Sequence, residues 1–159
     1  MKVRIPDLGE EPRRLDFSEF ADTLVVPDPK APRANDQRLE RKFNVNAEIY
    51  RSGQDVHFTG HIAGRVLSTC PRCLDDFGYP LKRDFRFLLM RESAHGHVEP
   101  DQGVDSYNGE EVDLSPLVRE QALLALDSAT LCSEACKGLC AGCGANLNHE
   151  ACVCQRREG

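Results

Sequence analysis

Tryptophan is absent, methionine occurs twice, and all aromatic residues together make up 6% of the chain. Any core must therefore be mostly aliphatic. Hydrophobic residues still reach 40% of 159 positions, enough for one domain, or one domain with a small appendage. An excess of positive charge is also missing. Twenty Lys and Arg face 26 Asp and Glu, a net charge of −6. That excludes a uniformly basic nucleic-acid binder, because phosphates demand nearby cations, and leaves RNA contact to a local patch. No apolar window reaches membrane-spanning length, and the opening MKVRIPDLGEEPRRLDF lacks the apolar run of a signal peptide. The expectation is a cytoplasmic protein without a membrane partner. Catalytic signatures are lacking as well: there is no phosphate loop, no G-x-S-x-G and no H-E-x-x-H. The protein is expected not to be an enzyme and to take no small-molecule substrate.

Periodicity supplies the fold class. Residues 1–38 are charged and proline-rich, with one short strand expected at Asp22–Val26 and a loop or linker after it. From Phe43 the period is two. Phe43, Val45, Ala47 and Ile49 alternate with polar residues, and Ser52-Gly53 marks a turn. Val56, Phe58, Ile62 and Val66 lie on one face of a second strand, where Gly60 and Gly64 predict a bend or bulge. A third strand spans roughly Tyr79–Arg91, with Leu81, Phe85, Phe87 and Leu89 on one side. Three antiparallel strands joined by short turns are the simplest arrangement. Residues 92–113 carry seven acids and no Lys or Arg, the pattern of a solvated acidic loop or a contact for a basic partner. A helix follows. Ser115 is placed to cap it and Pro116 suits its first turn. Leu117, Val118, Leu124 and Ala125 form its stripe, widened by Leu114, Leu123 and Leu126.

The expected fold is thus α+β: a small antiparallel sheet or partial barrel packed by one main helix. The expected division is a β-rich core domain over 1–127 and a cysteine-rich segment over 128–159 packed on it.

Six of the eight cysteines lie within CSEACKGLCAGCGANLNHEACVC, residues 132–154. In the cytosol thiols stay reduced, so such a cluster reads as a metal site before it reads as a disulfide framework. Two residues between cysteines let both sulfurs point inward at about 3.5–4 Å, as tetrahedral zinc requires. Cys140 and Cys143 with Cys152 and Cys154 supply four thiolates around a small loop, and Gly142 and Gly144 give Cys143 the freedom of a knuckle. Cys70 and Cys73 lie between the second and third strands and need two more ligands; Cys132 and Cys136 are the natural candidates. The eight then divide into two four-cysteine sites without remainder, although other groupings fit the spacing and His149 could replace one cysteine. A zinc closed by four thiolates has no open position and is structural. The competing chemistry is redox, since Cys70-Pro-Arg-Cys73 has the form of a thioredoxin-type dithiol. That motif should open a helix, whereas LDDFGYP and a strand-like run follow here. His57/His61 and His95/His97 are read as solvent-facing.

Three stretches carry a family resemblance: TCPRCLDDF at 69–77, EEVDLSPLVREQALLAL at 110–126, and CKGLCAGCGANLN at 136–148. With these the chain resembles the YceD family of large ribosomal RNA subunit accumulation proteins, over roughly 40–154. Ala141 stands where the family usually has Pro, and many relatives continue past the position of Gly159 into a D-P-R-containing tail. The resemblance implies a non-catalytic role in accumulation of the large-subunit (23S) ribosomal RNA, with ribosomal RNA or a large-subunit ribosomal protein as partner. Because some members lack most of these cysteines, it also fits zinc that is structural. Basic residues available for RNA are Arg38, Arg41 and Lys42, and Lys82, Arg83 and Arg86 on the third strand, where Lys82 and Arg86 share a face. The acidic loop could equally hold a basic ribosomal protein. The alternatives are a zinc-knuckle nucleic-acid-binding module of other function and a thiol-disulfide oxidoreductase.

Overall fold

The computed structural model describes residues 1–20, 38–39, 42–92, 103–126 and 130–154. The strand expected at Asp22–Val26, most of the linker after it and His95/His97 lie outside the described residues. Eight strands and one α-helix are described: β1 (Lys2–Arg4), β2 (Arg13–Phe20), β3 (Arg38–Leu39), β4 (Lys42–Ser52), β5 (Asp55–Thr69), β6 (Asp76–Arg91), β7 (Val104–Tyr107), β8 (Glu111–Asp113) and α1 (Ser115–Leu124). A single 3-10 turn, Ile5–Asp7, follows β1.

The period-two residues build the centre. Strands β4, β5 and β6 pair antiparallel, as their alternation requires, and Phe43, Val45, Ile49, Val56, Phe58, Ile62, Val66, Leu81 and Leu89 are all buried on one face. The sheet extends further than three strands. Its order is β2-β4-β5-β6-β7, with β3 also pairing β5, and β1 and β8 form a separate ribbon. It is a mixed sheet, because β7 runs parallel to β6. Among the described residues no ladder joins its two ends, so a closed barrel is not formed.

Three local expectations are corrected. First, the β5 glycines make no bulge. The ladders from Asn44↔Ala63 to Ser52↔Asp55 and from Val56↔Leu89 to Thr69↔Asp76 run without a break. The glycines serve close approach instead: a Cβ on Gly60 would lie 2.5 Å from the Asn46 carbonyl oxygen and 2.7 Å from the Ala47 Cβ. Second, Ser115 is not the helix cap. Leu114 occupies that position, the Ser115 N–H donates to Asp113 Oδ1 at 3.0 Å, and the Ser115 hydroxyl donates to Glu19 Oε1 at 2.6 Å. Third, Leu124 is 60% exposed; Leu114, Leu117, Val118 and Ala122 form the buried stripe. The acidic stretch is also not all loop, since β7, β8 and the buried Tyr107 fall within it.

Helix α1 covers the inner face of the sheet and shares one core cluster with it. This leaves the outer face to solvent, and leaves the β5–β6 hairpin tip, residues 70–75, projecting towards the cysteine-rich segment.

Candidate metal centres

The hairpin tip is a tight turn closed by two backbone bonds. The Leu74 N–H donates to the Cys70 carbonyl at 2.9 Å, and the Cys70 N–H donates to the Asp75 carbonyl at 2.9 Å. The segment Cys140–Ala145 repeats both bonds. Gly144 N–H donates to the Cys140 carbonyl, and Cys140 N–H to the Ala145 carbonyl, each at 2.8 Å. The residue after the second cysteine is left-handed in both turns, with φ of 62° at Leu74 and 73° at Gly144. The Leu139 N–H donates to the Arg72 carbonyl at 2.9 Å and links the two turns. Gly142 has no left-handed φ; it leaves room for a neighbouring sulfur, since a Cβ there would lie 2.9 Å from Cys154 Sγ.

The two turns gather all eight thiols into two groups of four: Cys70, Cys73, Cys132 and Cys136, and Cys140, Cys143, Cys152 and Cys154. Within each group every sulfur lies within 4.8 Å of the others. Resolved contacts are Cys70–Cys136 at 3.8 Å, Cys73–Cys132 at 3.5 Å, Cys140–Cys152 at 3.2 Å and Cys143–Cys152 at 3.8 Å. Tetrahedral thiolates at about 2.3 Å from zinc are separated by about 3.8 Å, so both groups have the right dimensions for such an ion. None of the eight is in a disulfide. The first group is inner, with Cys70, Cys73 and Cys136 buried; the second is outer, with Cys143 and Cys154 exposed. His149 belongs to neither. Its Nε2 lies 2.9 Å from Asp75 Oδ2.

Crowding four thiols splits their titration. In the inner group burial pushes Cys70 up, but the backbone amides of Cys132, Cys73 and Arg72 outweigh it and bring the thiol down to about 6. Burial and the neighbouring sulfurs push Cys73 up. The amide of Asn148 is the chief cause of the lowered Cys136 value. In the outer group the Cys143 amide, the Cys152 thiol and the Gly142 amide bring Cys140 down to about 6, while the Cys143 thiol pushes Cys154 up to about 12. Backbone amides thus favour thiolate at some positions, while burial and hydrogen bonds with neighbouring thiols disfavour it at others. A divalent cation removes that conflict.

The surrounding polar shell was not foreseen. Asn146 Nδ2 donates to both carboxylate oxygens of Asp75, at 2.9 and 3.0 Å, and reaches the Cys73 carbonyl at 3.4 Å. Asn148 Nδ2 donates to Cys136 Sγ at 3.5 Å, while its Oδ1 accepts the Lys137 N–H at 2.8 Å. The only hint in the sequence is a pair of asparagines inside the Cys143–Cys152 loop.

The other sequence-selected residues lie elsewhere. Lys82 and Arg86 are exposed on the outer face of β6, with Asp84 between them taking His61 Nδ1 at 2.7 Å. Arg83 is on the inner side and donates to Gln121 of α1 at 3.3 Å. His57 stacks on Tyr50 at 4.7 Å, so His57 and His61 are engaged separately. Lys42 sits over the Phe20 ring. The Cys70–Cys73 turn joins two strands, so the helix that a thioredoxin-type dithiol opens is absent at this turn.

A sheet covered by one helix, with two cysteine knuckles each belonging to a group of four thiols that could hold a metal ion, defines the class of protein. Residues 58–159 match the family described as Large ribosomal RNA subunit accumulation protein YceD, and the chain belongs to that family. Two curated relatives carry the name Large ribosomal RNA subunit accumulation protein YCED homolog 1, chloroplastic. The chain is similar to that of Arabidopsis thaliana at 27% identity, over 72% of this chain and 44% of the relative. It is similar to that of Zea mays at 41% identity, over 71% of this chain and 48% of the relative. The chain therefore spans about half the length of the curated relatives it matches. No solved structure matches it.

Proposed function

We propose that this protein is a non-catalytic ribosome-biogenesis factor that supports accumulation of large-subunit ribosomal RNA and is stapled by two structural zinc ions. The observation that carries the zinc is the division of eight thiols into two closed groups of four. Cys70 and Cys73 on the sheet domain pair with Cys132 and Cys136 on the following segment, so the inner ion ties 128–159 to 1–127. Four thiolates fill a tetrahedral shell and leave no position for a substrate. Family membership supports the ribosomal role, and the partner is ribosomal RNA or a large-subunit ribosomal protein. Reduced thiols suit the cytoplasm; among the described residues no helix is long and apolar enough to cross a membrane.

The test joins two measurements. Metal analysis of protein purified without chelator should give about two zinc ions per chain; none, with all thiols titratable in the native state, overturns the zinc. Capture from cells should bring down large-subunit RNA or its proteins; their absence overturns the ribosomal role.

A further inference from the structure

The two cysteine groups are joined by more than chain connectivity. Asn146 and Asn148 lie in the loop between Cys143 and Cys152, two ligand positions of the outer group, yet both amides reach the inner group. Asn148 donates to the Cys136 sulfur itself, and its carbonyl holds the Lys137 N–H beside that sulfur. Asn146 grips Asp75 and the Cys73 carbonyl at the inner knuckle. His149, in the same loop, meets Asp75 Oδ2 at 2.9 Å. A further contact runs from Leu147 N–H to the Gly138 carbonyl at 2.9 Å, while Asn148 N–H closes on Asn146 Oδ1 at 3.0 Å within the loop. No residue of this loop is buried. With little apolar packing, its shape rests on these hydrogen bonds, on the backbone bonds from His149 and Glu150 N–H to the Asn146 carbonyl, and on the outer cysteines at its two ends.

We propose that the two centres bind metal cooperatively: an ion in the outer group orders the Asn146–His149 loop, and that loop completes the inner centre through the Asn148–Cys136 and Asn146–Asp75 hydrogen bonds. This rests on the metal-binding reading above. The physical basis is general. Hydrogen bonds to ligand atoms fix their direction and charge, and their removal typically costs about 10–100-fold in metal affinity. Coupling between two binding sites is reciprocal, so an ion in the inner group must raise outer affinity by the same factor. Asn146 and Asn148 are positioning residues in this scheme and touch no metal.

Reduced, chelator-stripped full-length protein titrated with Co2+ provides the test, because thiolate-to-cobalt absorption reports each ion bound. Cys140→Ser/Cys143→Ser leaves only the inner centre, and Cys70→Ser/Cys73→Ser only the outer one. The product of the two wild-type affinities should exceed the product of these isolated affinities by about 5–150-fold, the usual range of coupling between sites. Asn148→Ala with both centres intact should weaken the inner ion by about tenfold or more. Placed in the Cys140→Ser/Cys143→Ser background, the same substitution should cost much less, because the loop is already released there. Two thiolate-bound ions with isolated affinities within twofold of wild type would overturn the coupling and leave the metal centres standing. An equal loss from Asn148→Ala in both backgrounds would also overturn it. Absence of any thiolate-to-cobalt absorption in wild type would overturn the metal centres themselves, and the coupling with them.

Discussion

Leu74 and Gly144 hold the same place in two turns closed by the same pair of backbone hydrogen bonds, each following a C-x2-C pair and each left-handed, with φ of 62° and 73°. Only one is the residue that such a turn prefers. A side chain in this conformation costs about 1–2 kcal/mol, while glycine gives back roughly 0.5–1 kcal/mol of unfolded-chain entropy. Leu74 is 53% exposed, so its burial contributes little. Leu74→Gly should therefore be neutral or stabilise by up to about 1 kcal/mol. Gly144→Ala should destabilise by about 1 kcal/mol through backbone strain alone, since nothing lies within 4 Å of an added Cβ. Thermal unfolding of the metal-loaded proteins reads both signs. Destabilisation by Leu74→Gly would mean that Leu74 makes contacts its exposure does not suggest.

A second prediction concerns Glu19, a charged residue buried on the inner face of β2. Its carboxylate accepts the Ser115 hydroxyl at 2.6 Å and the Arg119 guanidinium at 3.0 Å, tying the edge strand to α1. Burial pushes the carboxyl up, but Ser115, Arg119 and the Met1 ammonium at 3.3 Å together outweigh it and hold it below its usual value. Glu19→Ala strands Ser115 and Arg119 and should cost about 1–3 kcal/mol. The lower part of that range is expected because Arg119 is 39% exposed and can rehydrate. The pH dependence has a definite sign. The unfolded chain binds the proton first, so this stabilisation is full above about pH 4.3 and is lost as the pH falls towards the folded value. Glu19→Gln should flatten that acid limb. An unchanged limb in urea unfolding between pH 3 and pH 6 would assign the effect to other carboxylates.

The Glu19 case explains why some of the fold was hidden from sequence reasoning. Strands β4 to β6 are legible because large apolar residues recur at alternate positions along each strand, with only Gly60, Gly64 and Arg83 as conspicuous exceptions on the inner face. Strand β2 alternates too, through Leu15, Phe17 and Glu19, but the last of these is a charge that α1 and the Met1 ammonium satisfy from distant parts of the chain. Strand β7 has four residues in an acidic stretch, and its place is set by the β6 edge it joins. Spacing pairs Cys70 with Cys73 and Cys140 with Cys143, because a C-x2-C turn aims two sulfurs to one side, but other groupings of the eight fit it too, and the two fours are seen only once the sulfurs are placed. The Asn146–Asp75 and Asn148–Cys136 bonds span distant or looped segments. No periodicity encodes them, so they become visible only once the knuckles are placed.

The last prediction concerns the proposed ribosomal contact, for which Lys82 and Arg86 on the outer face of β6 offer a basic pair. Lys82 and Arg86 are exposed there. Their cross-strand neighbours are Ala63 and Thr59, so no acid sits directly opposite either cation. Asp84, between them, is engaged by His61 Nδ1 at 2.7 Å. Neither cation supports the core, and surface substitutions of this kind usually change stability by no more than about 0.5 kcal/mol. A Lys82→Glu/Arg86→Glu protein should therefore fold normally and keep its metal. If the pair contacts phosphates, each lost contact should weaken RNA binding uniformly and flatten the salt dependence by about one unit of slope. In cells lacking the protein the double variant should then fail to restore large-subunit ribosomal RNA. Full rescue would remove this face from the contact surface. The contact would pass to the acidic stretch 92–113, whose seven carboxylates suit a basic ribosomal protein rather than RNA.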